Sequence, residues 1–195
     1  MLRLSILVLF STVAVFGQTE KPNSTSLPSP QHHSLGPGDT HKPQGNLGGL
    51  WYLDYRDGFL GTKFGSTIDT FQGMSLVDDF GELKIYKKDN QLEQLGHASI
   101  KSVVYEFYSG KLMCMGLTVN GPRNADALLI LLVTAYGKGY RPKPSDDLIW
   151  PGHFATGRYS SLPNGDWYLR VSNNALEQEY NAYEQKAMLE EARKL

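Results

Sequence analysis

The side chains best suited to chemistry lie late in the chain, in W-P-G-H-F-A-T-G-R-Y and W-Y-L-R-V-S, which carry Trp150, His153, Arg158, Trp167 and Tyr168. Two chemistries are open to them. Histidine titrates near neutral pH, and His153 stands just past a Pro-Gly step, where a strand bends and ligand sites can form. Paired with Asp146 or Asp147, it would suit the acid–base work of a hydrolase. The aromatic residues suggest binding instead. If Trp150, Tyr159, Trp167 and Tyr168 shared an exposed face, they would offer a platform to a sugar, a peptide or a partner protein. The plainer readings are core packing for the aromatic rings and a solvated edge-strand histidine for His153. His97, which follows Gly96 in a loop, is equally plain.

No familiar catalytic pattern accompanies these residues. The sequence has no serine elbow, no H-E-x-x-H, no C-x-x-C and no Walker loop. Gly58, Gly61 and Gly65 are spaced G-x-x-G-x-x-x-G, which matches neither the dinucleotide nor the P-loop pattern, so they read as turn glycines. Asp78 and Asp79 are adjacent on an expected turn, and a catalytic carboxylate pair must instead face one substrate. The single cysteine, Cys114, lies in M-C-M within an apolar strand and reads as a buried, inert thiol. No cofactor and no metal site is expected. With 19 basic and 20 acidic residues the charge is nearly balanced. A nucleic-acid partner usually leaves a basic excess, so none is expected.

The length of 195 residues suggests one domain with appendages. Residues 1–17 read as a secretory signal peptide: Arg3 is the positive start, 4–16 is a short apolar stretch, and Val15 and Gly17 are small enough for cleavage before Gln18. The stretch is short for a membrane span, which needs about 20 apolar residues, so no transmembrane segment is expected in the mature chain. Residues 18–46 are rich in Pro, Ser, Gly and Thr and read as a disordered linker. His32, His33 and His41 lie there, where no fixed metal geometry can be held. Asn23-Ser24-Thr25 matches a glycosylation acceptor, a short pattern that is common by chance.

Folded structure is expected over 47–174. With 20 glycines and 11 tyrosines, strands and turns are favoured over an all-helical protein. A first strand is expected at 50–56, with Trp51, Leu53 and Tyr55 on one face. Ser66 or Thr67 would cap a short turn carrying Ile68 and Phe71 inward. Hairpins are expected from 74–77 with 82–87, and from 100–108 with 111–120, the last strand being apolar on both faces and so central. A core helix is expected at 124–136, with Asn124 as N-cap, Asp126 near the positive dipole end, and Gly137 as stop. Its unbroken apolar run, 127–133, implies cover on more than one side. A strand at 148–150, broken by Pro151-Gly152, continues or pairs at 154–159; proline confines it to an edge or bulge. The last strand is 167–172. Residues 175–195 form a C-terminal helix capped by Asn173 or Asn174, with an apolar stripe of Leu176, Tyr180, Tyr183 and Ala187 and a Glu190–Lys194 pair. The fold class is therefore α+β: an antiparallel sheet of about six or seven strands packed on one core helix, with the C-terminal helix appended.

Three segments together carry a resemblance: D-G-F-L-G-T-K-F-G-S-T-I-D, A-L-L-I-L-L-V-T-A-Y-G-K-G-Y-R-P, and W-P-G-H-F-A-T-G-R-Y followed by a turn and W-Y-L-R-V-S-N. Over 57–174 the chain resembles a group of uncharacterised exported bacterial proteins, in which a helix ending in Y-G-x-G or Y-G-x-P precedes a tryptophan-led hairpin. The resemblance implies export and fold and brings no catalytic residues. The first functional expectation is a non-enzymatic binding protein of the bacterial envelope or exterior, periplasmic or secreted, with an envelope protein, peptide or glycan as partner. The alternatives are a hydrolase of envelope polymers, and a structural module that dimerises through the C-terminal helix.

Overall fold

The computed structural model describes Leu53 and residues 58–194; the expected signal peptide, the linker with its three histidines, and the tryptophan and tyrosines of the first expected strand lie outside the described residues. Leu53 is helical where a strand was expected, and it is buried, close to Gly157.

The described chain is α+β. A small hairpin, β1 (Gly58–Phe59) and β2 (Thr62–Lys63), precedes a single 3₁₀ turn at Ile68–Thr70. Then follow β3 (Met74–Phe80), β4 (Leu83–Lys88), β5 (Gln94–Leu95), β6 (Ala98–Tyr108) and β7 (Lys111–Asn120). Helix α1 (Gly121–Tyr136) leads to β8 (Leu148–Pro151), β9 (Ala155–Ser161), β10 (Asp166–Asn173) and helix α2 (Asn174–Ala192). The main sheet runs β3-β4-β6-β7-β10-β9-β8, antiparallel throughout, and β5 pairs with one end of β6. The expected sheet of six or seven strands and both expected helices are present.

Strand β7 holds the centre, and 112–117 on it are all buried. One sheet face carries Val103, Tyr105, Phe107, Leu117, Leu169 and Val171 into the main core, together with Ala125, Leu128 and Leu132 of α1. Tyr159 ties helix to sheet: its hydroxyl donates to the Ala125 carbonyl at 2.9 Å, and its ring stacks on Trp167 at 5.0 Å. Burial, with Asp126 nearby, pushes its phenol well above the usual range. Ile68 and Phe71 pack against this core as expected, although Thr67 caps the turn without a side-chain hydrogen bond.

Helix α1 departs from expectation in three ways. It starts at Gly121, so Asn120 is the N-cap position, and Pro122 occupies the first turn, where a missing N–H costs nothing. Asn124 is not the cap; its side chain accepts from the Ser99 amide at 2.9 Å and donates to the Asn120 carbonyl at 3.0 Å. The earlier start also moves Asp126 out of the first turn. The run 127–133 is covered on one side: Leu128 and Leu132 are buried, while Ile130 is 68% exposed among the described residues. Gly137 ends the helix at φ 77°, where side chains are strained.

Helix α2 starts as expected, with Asn173 accepting from the Leu176 amide at 3.0 Å. Its charged tail pairs differently. Lys194 meets Glu191 at 2.8 Å, and Glu190 meets Lys186 at 4.0 Å, so the expected Glu190–Lys194 pair does not form.

The one-sided packing of α1 predicts unequal costs along it. Leu132→Ala should lower unfolding free energy by about 2–5 kcal/mol through lost contacts and a cavity. Ile130→Ser should stay within about 0.5 kcal/mol. Urea denaturation of both variants checks this.

Candidate functional site

The five residues singled out from sequence do not converge. Strand alternation puts Trp167 on the α1 face and its neighbour Tyr168 on the opposite face. Trp150 is a core residue, 2% exposed; its indole N–H donates to the Gly137 carbonyl at 2.8 Å and its ring meets Tyr136 edge-on. His153 is exposed in the β8–β9 turn, beside the Phe154 ring at 4.6 Å. No described contact joins His153 to Asp146 or Asp147: Asp147 lies 3.7 Å from Arg158, and the Asp146 carbonyl accepts from Arg141. Arg158 is directly opposite Arg170 across the β9–β10 pair, so it shares the face of Tyr168. Two of the five, Arg158 and Tyr168, therefore belong to one surface, the sheet face away from α1.

The register lays out that face in rows. One row crosses four strands: Ser102, Thr118, Tyr168 and Ser160. The next is Val104, Gly116, Arg170, Arg158 and Ile149; the third is Glu106, Cys114, Ser172, Thr156 and Pro151. Gly116 has a defined task. A Cβ there would sit 1.9 Å from the Tyr168 hydroxyl, so the absence of a side chain lets the phenol end of the ring lie over β7. The phenol lies on the same sheet face as Glu106, close enough to feel its charge.

Glu106 is the hub of a polar network. It stands directly opposite Cys114 in the β6–β7 pair and meets Arg170 at 3.1 Å. Arg170 binds Glu177 of α2, and Glu177 accepts from the Ser172 hydroxyl at 2.7 Å. The guanidinium side chain is 19% exposed and the Glu106 side chain 15%. Burial disfavours its charge, but Cys114, Glu106 and Glu177 outweigh that, so Arg170 holds its proton more firmly than usual. Burial, then the neighbouring Cys114 and Glu106, pushes the Tyr168 phenol well above its ordinary range. Burial and Glu106 push the Cys114 thiol up as well, which keeps it a thiol and not a nucleophile.

Beside this network, α2 is seated by apolar contacts. Leu176 packs on Met113 and Cys114, and Tyr180 meets Tyr108 edge-on at 5.5 Å. Burial, with Glu184 nearby, raises the Tyr180 phenol to about 12. The helix covers only this end of the face. No described contact from α2 reaches Ser102, Thr118 or Ser160, which stay half-buried with Tyr168. Lys101 and Asp166, 2.5 Å apart, flank the same row, and that contact holds the Asp166 carboxyl below its usual range.

A cavity of about 350 Å³ lies elsewhere, at the turn ends of β3–β4 and β6–β7, lined by Ile68, Glu82, Lys84, Tyr86, Phe107 and Ser109 among others. Glu82 there already accepts from the Ser109 hydroxyl, and Lys84 already pairs with Asp79. Among the described residues no three His, Cys, Asp or Glu side chains gather as a metal site, and no helix is long and apolar enough to cross a membrane.

The chain matches no family model, and neither the curated proteins nor the solved structures contain a significant match to it. Function must be argued from the face itself. Sequence reading reached Tyr168 and Arg158 through the aromatic and basic types near the last strands. It missed Glu106, Gly116, Arg170 and Glu177, which lie on four different elements and meet only through strand register and the returning helix. The arginines within the otherwise apolar or hydroxyl-bearing late strands, Arg158 in β9 and Arg170 in β10, were the available signal.

Two outcomes follow from the network. Arg170→Met leaves two largely buried carboxylates without a cation and should cost about 3–5 kcal/mol in urea denaturation, with partial recovery when Glu106→Gln and Glu177→Gln are added. Cys114 should resist a thiol reagent in the folded chain and react fully in denaturant, read by mass shift.

Proposed function

We propose that the chain is an exported, non-enzymatic binding protein, and that its ligand is a glycan of the cell envelope or exterior. The observation that supports this reading is the half-buried row Ser102, Thr118, Tyr168 and Ser160, which α2 does not reach among the described residues. Hydroxyl side chains both donate and accept, as sugar hydroxyls do. They stand at strand spacing, about 4.8 Å apart, on a backbone that cannot collapse around them. The Tyr168 ring, laid over Gly116, is held before any ligand arrives, so its ordering does not have to be met from binding energy. Arg158 adds an exposed cation at the border, suited to a carboxylated or otherwise acidic sugar.

The signal-like residues 1–17 and the resemblance to exported bacterial proteins support the location. Binding without turnover fits the engagement of the charged groups. Glu106 and Glu177 are committed to Arg170, and Cys114 and Tyr168 are held protonated by burial.

The test is calorimetric titration of the chain with a soluble β-1,4-linked N-acetylhexosamine oligosaccharide. The wild type should bind. Tyr168→Phe keeps the ring and should bind within about twofold of it. Tyr168→Ala should weaken binding by about tenfold, the scale of a lost ring contact of about 1.4 kcal/mol. Far-UV and near-UV circular dichroism establishes that each variant is folded. A folded wild type that takes up no oligosaccharide would remove the glycan reading.

A further inference from the structure

The two ends of the sheet are treated differently. At one end β8 is short and carries Pro151, which lacks an N–H. Its outer edge is also partly occupied: Tyr140 and Ile149 exchange both backbone hydrogen bonds, at 2.7 and 2.8 Å. At the other end, β3 pairs with β4 on one side and, among the described residues, with nothing on the other. Its free amides and carbonyls form a template for another strand.

The side chains of β3 match that role. Six of its seven residues are exposed, among them Leu76 at 51%, Val77 at 45% and Phe80 at 63%. A register shift at Val77 divides the strand: Leu76 stands opposite Tyr86 and points to the α1 face, while Asp78 stands opposite Ile85 on the other. Asp79 is neutralised by Lys84 at 3.1 Å, but Asp78 makes no ion pair among the described residues.

These features disfavour a second copy as the occupant. Antiparallel self-pairing centred at Asp78 sets carboxylate against carboxylate. Like charges directly opposite are destabilising in a sheet, and opposite charges contribute about 0.2–1 kcal/mol. The charge complement of this edge is a strand with a basic residue facing Asp78.

We propose that β3 accepts an extended segment of a partner polypeptide by strand addition, with a Lys or Arg of that segment facing Asp78 and apolar residues beside Leu76 and Phe80. Backbone pairing supplies affinity in this mode, and the alternate side chains supply choice. The surface is distinct from the Tyr168 row and stands independently of the glycan reading.

Two blocked octapeptides of alternating Thr and Val, one with two central lysines and one with two central glutamates, serve as probes against the full chain. Amide exchange of 74–80 is followed by NMR, and mass in solution by light scattering. The lysine peptide should slow exchange along β3 and bind about threefold more tightly per facing charge than the glutamate peptide. The variant Asp78→Lys, exposed and remote from the core, should reverse that preference. Equal binding of the two peptides, or no protection of 74–80 by either, overturns the proposal. A dimer whose 74–80 amides are protected without peptide overturns it in favour of self-association.

Discussion

A strand buried on both faces needs a cover on each, and β7 imposes that requirement on this fold. Six consecutive residues of it, 112–117, are removed from solvent. On one face the cover is apolar and close: α1 follows β7 directly and lays Leu128 and Leu132 onto the strands it has just left. On the other face the cover comes from the far end of the chain. α2 follows β10, which pairs with β7, so the helix is delivered onto the face that α1 leaves bare. Both covers depend on the β7–β10 pairing, the junction of the two halves of the sheet.

The two covers are built on different physics. Under α1 the contacts are dispersion and burial, with Tyr159 as one polar tie. Beside α2 the contacts combine a small apolar patch with a charged network. Two carboxylates bracket one guanidinium, and a phenol and a thiol lie near Glu106. Removing charges from water is costly unless every partner is in place. Such a network therefore specifies one seating of the helix more than it adds stability. Gly116 belongs to the same arrangement, since any larger residue would lift the Tyr168 ring off the sheet and away from Glu106.

What the covers leave open is as informative as what they bury. α2 is seated at one end of its face, so the hydroxyl row at the other end stays half-buried. β8 is blunted by proline and by Tyr140, whereas β3, among the described residues, keeps an unpaired edge with apolar side chains on it. Natural sheets usually blunt exposed edges with charge, bulges or cover. β3 has a bulge and two aspartates, and one of those is already neutralised by Lys84.

Much of this architecture was legible in the order of residues alone, because it depends on neighbours. The hairpin at Ser109-Gly110, the stop at Gly137, the edge placement of Pro151, the cap at Asn173 and the central, doubly buried β7 all follow from local periodicity and turn chemistry. The N-terminus of α1 was misread because Asn124 is a good cap in isolation, while the Ser99 amide, far away in sequence, claims its side chain. The grouping of Trp150, His153, Arg158, Trp167 and Tyr168 failed for a simple reason. Proximity in sequence does not survive strand alternation, which sends adjacent residues to opposite faces, nor the β8–β9 turn, which leaves His153 exposed beside Phe154. The network of Glu106, Arg170 and Glu177 is the converse. Its members lie on β6, β10 and α2, each unremarkable where it stands, and only the tertiary register of three strands, β6, β7 and β10, with a returning helix brings their charges together.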